Sequence, residues 1–93
     1  MIKSFANKET EKVFNQEFSK KLPASIQGVA LRKLIMMNNA KCIDDLRVPP
    51  ANHLEQLNGN RKGQFSIRIN DQYRICFRYS LNDCYDVEIV DYH

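Results

Sequence analysis

Apolar and polar positions alternate through most of the second half of the chain. Phe65, Ile67 and Ile69 interleave with Ser66, Arg68 and Asn70. A period of two predicts a half-buried strand, because successive side chains on a strand point to opposite faces. Asn70-Asp71-Gln72 predicts a turn. Tyr73, Ile75, Phe77 and Tyr79 then alternate with Arg74, Cys76 and Arg78, giving a second strand. Leu81-Asn82-Asp83-Cys84 turns again, and residues 85–91 form the last strand. Three strands with short turns predict an antiparallel meander.

The first half carries a helical period. Ile2-Lys3-Ser4-Phe5-Ala6 alternates and predicts a short first strand. Asn7 suits an N-cap, and Glu9 and Glu11 fall where the helix dipole favours acids. Val13, Phe14 and Phe18 follow at helical spacing, so the first helix is expected over residues 8–19, with Lys20 and Lys21 near its end. Pro23 suits the first turn of a second helix running to about Asn39. Its stripe is Ile26, Ala30, Leu34 and Met37, widened by Leu31 and Ile35. Ile43–Leu46 predicts one helical turn, Val48–Ala51 an extended stretch, and His53–Leu57 a strand or its approach. Asn58-Gly59 gives a turn signal ahead of a polar loop to Gly63. The expected fold class is α+β, with two N-terminal helices packed on a curved antiparallel sheet, in one domain over residues 1–93.

Composition narrows the classes. The chain is 43% hydrophobic and 27% charged, which argues for a folded domain. No apolar run follows Met1-Ile2-Lys3-Ser4 and none is long enough to span a membrane, so the expected location is cytoplasmic. Cys42, Cys76 and Cys84 lack the spacing of a zinc site and predict reduced, mostly buried fillers. Net charge is +3. Residues 61–78 hold Arg61, Lys62, Arg68, Arg74 and Arg78 against the single acid Asp71, a net +4. The whole excess therefore lies in one segment, and arginine is the residue whose fork matches phosphate. The plainer reading is a solvated sheet face with cross-strand ion pairs, Arg68 and Arg74 to Glu88 or Asp86.

The chain closes on Asp91-Tyr92-His93, three side chains able to move or orient protons. His93 titrates near neutrality and serves as base or acid. Asp91 can orient an imidazole or accept a proton, and Tyr92 can stack on a base or donate a proton. RNA is cleavable without metal because its 2′-hydroxyl is an internal nucleophile, given a base, an acid and cations for the phosphorane. A terminal Asp-Tyr-His is also an ordinary solvated tail. Alternation does not show which of the three faces the arginines. Gly59-x-x-x-Gly63 lacks the strand–loop–helix setting of a phosphate-binding loop, and His53 fits a surface loop. The residues alone support a small α+β domain that binds nucleic acid.

Three stretches together resemble a known family: Met1-Ile2-Lys3-Ser4-Phe5; the run from Leu57-Asn58-Gly59-Asn60-Arg61-Lys62-Gly63 through Phe77; and Val87-Glu88-Ile89-Val90-Asp91-Tyr92-His93. They look like the plasmid-maintenance killer proteins, the HigB-like branch of the RelE toxin superfamily. The resemblance covers essentially the whole chain. It implies a RelE-like, microbial-ribonuclease-like fold and a type II toxin that cleaves translated mRNA in the ribosomal A site, without metal or cofactor. It also implies a helix-turn-helix, HigA-like antitoxin, with operator DNA reached only through that partner. By position it implies catalytic roles for Asp91, Tyr92, His93 and Arg74, and RNA contacts for Arg61, Lys62, Arg68, Asn70 and Arg78. Some members have lysine where Asn58 stands, arginine where Asn70 stands and tryptophan where Tyr73 stands. The alternative is a catalytically weak RNA- or ribosome-binding module acting through its antitoxin complex and operon repression.

Overall fold

A computed structural model describes residues 1–92. Two helices, α1 (Lys8–Phe14) and α2 (Ala24–Asn39), precede a sheet of β1 (Glu55–Gln56), β2 (Gln64–Arg68), β3 (Tyr73–Ser80) and β4 (Asp83–Asp91). The strands are antiparallel in the order β1-β2-β3-β4. This is the expected α+β arrangement, with β1 added to the meander.

Asn7 caps α1, its side chain accepting from the Thr10 N–H at 2.9 Å. The helix stops at Phe14, five residues short of the expected end. Gln16 takes a left-handed φ of 64°. Its N–H donates to the Val13 carbonyl (3.0 Å) and the Glu17 N–H to that of Lys12 (2.8 Å). These paired bonds are a Schellman stop, usually built on glycine. Phe18 is consequently exposed rather than in the stripe. In α2, Ile26, Ala30, Leu34 and Met37 are buried as expected, but Ile35 is exposed, so the stripe is narrower than its sequence suggests. Val48 and Pro49 are extended, whereas Pro50–Asn52 closes into a short helical turn.

Residues 2–5 do not form a regular strand. They lie parallel to β4 through single bridges, Ile2 to Cys84 and Phe5 to Val87. Between these points Asp86 adopts φ 52°, and β4 bulges against β3 between Cys76 and Arg78. The Ser4 hydroxyl accepts from the Asp86 N–H at 2.9 Å. Further along β4, the hydroxyl of fully buried Thr10 accepts from the Ile89 N–H at 2.9 Å. The N-terminal segment and α1 thus cover the outer edge of β4, which would otherwise expose unpaired backbone groups.

The core lies between α2 and one sheet face: Val13, Ile26, Ala30, Leu34, Met37, Leu46, Ile67, Ile75, Phe77, Val87 and Ile89. Phe65 stacks on Phe77 with ring centroids 6.2 Å apart. Asn52 is fully buried; its amide donates to the Leu46 carbonyl at 3.1 Å and its oxygen accepts from Lys33. That pair pins the Ile43–Asn52 crossover to α2. Burial pushes the Lys33 ammonium below its ordinary range, with Arg32 adding to the effect. Asp71 and Gln72 turn the chain between β2 and β3, the Asn70 side chain accepting from the Gln72 and Tyr73 N–H groups. Leu81 and Asn82, both at positive φ, form the two-residue turn into β4. That strand starts at Asp83, two residues before its expected start.

Candidate active site on the outer face of the sheet

Strand register decides which side chains share the outer face. Glu55 lies opposite Ser66, Ser66 opposite Cys76, and Cys76 opposite Glu88. This row crosses all four strands. The neighbouring row is Arg68, Arg74 and Val90. Tyr92 follows Val90 at the same parity, so it faces the arginines, while Asp91 follows Ile89 and is paired with Tyr73.

Arg74 is the centre of the arrangement. Its Nε donates to the Ser66 hydroxyl at 2.8 Å, and Nη2 donates to the His53 carbonyl at 2.5 Å. Its Nη1 lies 3.8 Å from Glu55 Oε1, and its side chain is only 11% exposed. The Tyr92 ring stands over it, centroid 5.8 Å from the guanidinium carbon, a cation–π distance. His53 supplies that carbonyl from a left-handed φ of 44°, just after the Pro50–Asn52 turn. Two neutral oxygens therefore fix the plane of the guanidinium and leave the Nη1 N–H groups free of those anchors, beside Glu55.

The other arginines of residues 61–78 are arranged around this point, each against a carboxylate. Arg61 lies 3.3 Å from Glu88 and also donates to Gln64 at 3.1 Å. Arg78 lies 3.6 Å from Asp86. Arg68 pairs with Asp71 in the adjacent turn. The concentrated positive charge of residues 61–78 is thus met largely by Glu55, Asp86 and Glu88, which lie outside it. The pairings expected for Arg68 and Arg74 are replaced accordingly. Such half-exposed pairs are worth about 0–1 kcal/mol each, so their weight lies in placing charge.

Cys76 is fully buried in the floor between Arg61, Arg74 and Glu88. Burial raises its thiol, Arg61 and Arg74 lower it, Glu88 raises it, and burial dominates. It stays a protonated filler. Cys84 is likewise buried, whereas Cys42 is exposed.

The structure brings together Arg74, Tyr92, Arg61 and, at the margin, Arg68 and Arg78. Asn70 is spent on the turn. Lys62 stands in the exposed loop closing the Gly59–Arg61 turn. Asp91 accepts from the Gln72 amide at 3.1 Å. His93 lies outside the described residues. Sequence reading missed the roles of Ser66, the His53 carbonyl and Glu55, and it paired Glu88 with Arg68 or Arg74 where the structure pairs it with Arg61. The Ser66 alternation was a usable signal; a left-handed histidine and the register of β1 with β2 left none. Among the described residues no cluster of three His, Cys, Asp or Glu is placed to hold a metal ion, and no helix is long and apolar enough to cross a membrane.

The family described as RelE-like toxin of type II toxin-antitoxin system HigB matches residues 3–93. The chain belongs to that family. Toxin HigB-1 of Vibrio cholerae is 40% identical over 80 residues, 85% of this chain and 84% of that one. Endoribonuclease HigB of Proteus vulgaris is 30% identical over 93 residues, the full length of both. An uncharacterised protein of Haemophilus influenzae is 44% identical over 63 residues, 68% of this chain and 62% of that one. As a HigB-like toxin of a type II system, the chain has an antitoxin as its partner by family.

Proposed function

We propose that this HigB-like toxin is an endoribonuclease that cleaves mRNA in the ribosomal A site by metal-independent attack of the ribose 2′-hydroxyl. The observation that carries this reading is Arg74, anchored by Ser66 and His53 beneath the Tyr92 ring on the open sheet face. A guanidinium whose orientation is set before substrate arrives stabilises the phosphorane with little reorganisation. Tyr92 offers a stacking surface for a base. His93 and Asp91 supply the remaining acid–base capacity, and Arg61, Lys62, Arg68 and Arg78 line the path of the message. The name of the Proteus relative supports the ribonuclease reading. The ribosome supplies orientation of the message that so open a face lacks.

The partner of this reading is a helix-turn-helix, HigA-like antitoxin presenting acidic residues, through which the pair reaches operator DNA. Association should then slow with added salt. The paired state of the arginines favours a second reading, a ribosome-binding module with weak cleavage, because each carboxylate opposes phosphate approach. Expression of wild type, Arg74→Ala and His93→Gln under tight control, with primer extension on a translated transcript, separates the two. Cleavage by wild type with loss in both variants is expected. Equal growth arrest by all three, without new transcript ends, would overturn the ribonuclease reading in favour of the second.

A further inference from the structure

We propose that Asn52 is a positioning residue for Arg74, fixing the His53 carbonyl and through it the plane of the guanidinium. Its effect on rate rests on the endoribonuclease reading above; its effect on Arg74 does not. A chain of contacts then runs from α2, on one side of the sheet, through Asn52 and His53 to the outer face.

Three observations carry it. First, from Arg47 to His53 every residue is exposed except Asn52, which is fully buried. The crossover has this inward anchor just where it presents a carbonyl to Arg74. On the far side the chain enters β1, whose two residues are exposed. Second, the anchor is directional. The Asn52 amide donates to the Leu46 carbonyl at 3.1 Å and the Val48 carbonyl at 3.3 Å, and its oxygen accepts from Lys33 of α2. An apolar side chain would fill the same space without fixing an orientation, whereas a buried amide is held to its partners by the cost of losing them. Third, the next residue is His53, at a left-handed φ of 44°. A non-glycine residue keeps that conformation where its surroundings over-determine it. The Asn52 and His53 N–H groups donate to the Pro49 and Pro50 carbonyls at 2.9 and 3.0 Å, so the turn and the amide clamp meet at this point. The His53 carbonyl then accepts from Arg74 Nη2 at 2.5 Å. Without it, Ser66 on Nε is the one neutral anchor left, and the guanidinium turns about that bond.

Asn52→Leu keeps the volume and removes every directed bond; Lys33→Met removes the α2 partner alone. Heteronuclear NMR follows the Arg74 side-chain N–H signals of the full chain, assigned by their loss in Arg74→Ala. The expected result is distinct Nη signals in wild type and averaged ones in Asn52→Leu, with amides outside the crossover unchanged. Single-turnover cleavage of message on programmed ribosomes should fall about 10–10²-fold, the scale of an ångström's misplacement, with co-sedimentation within a few-fold. In an Arg74→Ala background the same change should cost no more than about twofold, because the group it positions is gone. Wild-type Arg74 signals in Asn52→Leu, or averaged signals in wild type, overturn the proposal. So does a rate within about threefold of wild type, or an equal loss in both backgrounds, which marks a merely structural side chain. If Asn52→Leu does not fold, Lys33→Met is read by the same criteria, with the loss at the lower end of that range. If wild type leaves the message intact, the ribonuclease reading falls, while the Arg74 signals still decide the role of Asn52.

Discussion

The two faces of the sheet use the same strands and are held by different forces. On the helix side, Ile67, Ile75, Phe77, Val87 and Ile89 are buried against α2. Neighbours there are interchangeable in kind, and burial of each side chain stabilises by roughly 1.5–3 kcal/mol without specific geometry. On the outer side, Ser66 and Cys76 are as fully buried as any core residue, yet they sit under arginines and glutamates. Order there comes from directed bonds: one hydroxyl, one carbonyl and a set of ion pairs hold the guanidinium groups. The contrast separates what a substitution should do. Helix-side changes should cost stability and lose activity with it; outer-face changes should cost activity while the melting temperature moves little.

Phe77→Ala tests the first half of that contrast most severely. The side chain is fully buried and stacked on Phe65, and its loss should destabilise by about 3–5 kcal/mol. Urea unfolding measures this; a loss under about 1 kcal/mol would mean the helix-side core does not carry the fold. Arg74→Ala tests the second half. Cleavage of ribosome-bound message should fall about 10²–10³-fold, the scale of one preorganised donor, with a cooperative melt retained. Equal losses of stability and rate would erase the distinction between the faces.

Thr10→Val probes the seam between them, where the edge of β4 is sealed. The valine keeps the shape and leaves the Ile89 N–H without its acceptor, so about 1–3 kcal/mol should be lost. Hydrogen exchange at Ile89 should rise; unchanged protection would show that another group seals this edge. The smallest effect expected is an alkaline one. Burial pushes the Cys84 thiol up from 9.0 to about 11. A raised folded value means the folded state prefers the protonated thiol, so stability is full below about pH 9 and declines from there to about pH 11. Cys84→Ala should blunt that decline; an identical alkaline profile would assign it to other groups.

Much of this was legible in the residues. Alternation from Phe65 to Val90 placed the meander, because one face of a packed sheet must be apolar. Asn7 and Pro23 marked both helix starts through backbone chemistry that acts locally. The ends were less legible. A Schellman stop on Gln16 and an exposed Phe18 depend on where α2 docks, and local propensity gives no sign of that. The same applies to the candidate site. Arg74 and Tyr92 stood out as residue types, but their meeting depends on the register of β3 with β4.

By itself, then, the sequence determined the α+β class, the strand periodicity, the charge concentrated over residues 61–78 and the terminal proton-bearing groups, all properties of type and spacing along the chain. Tertiary structure alone decided which carboxylates of β1 and β4 meet which of those arginines, and that Ser66 and a left-handed His53 hold Arg74. The physical reason is one of range. Periodicity follows from backbone geometry within a few residues, whereas hydrogen bonds and ion pairs depend on positions matched to about an ångström between strands distant in the chain.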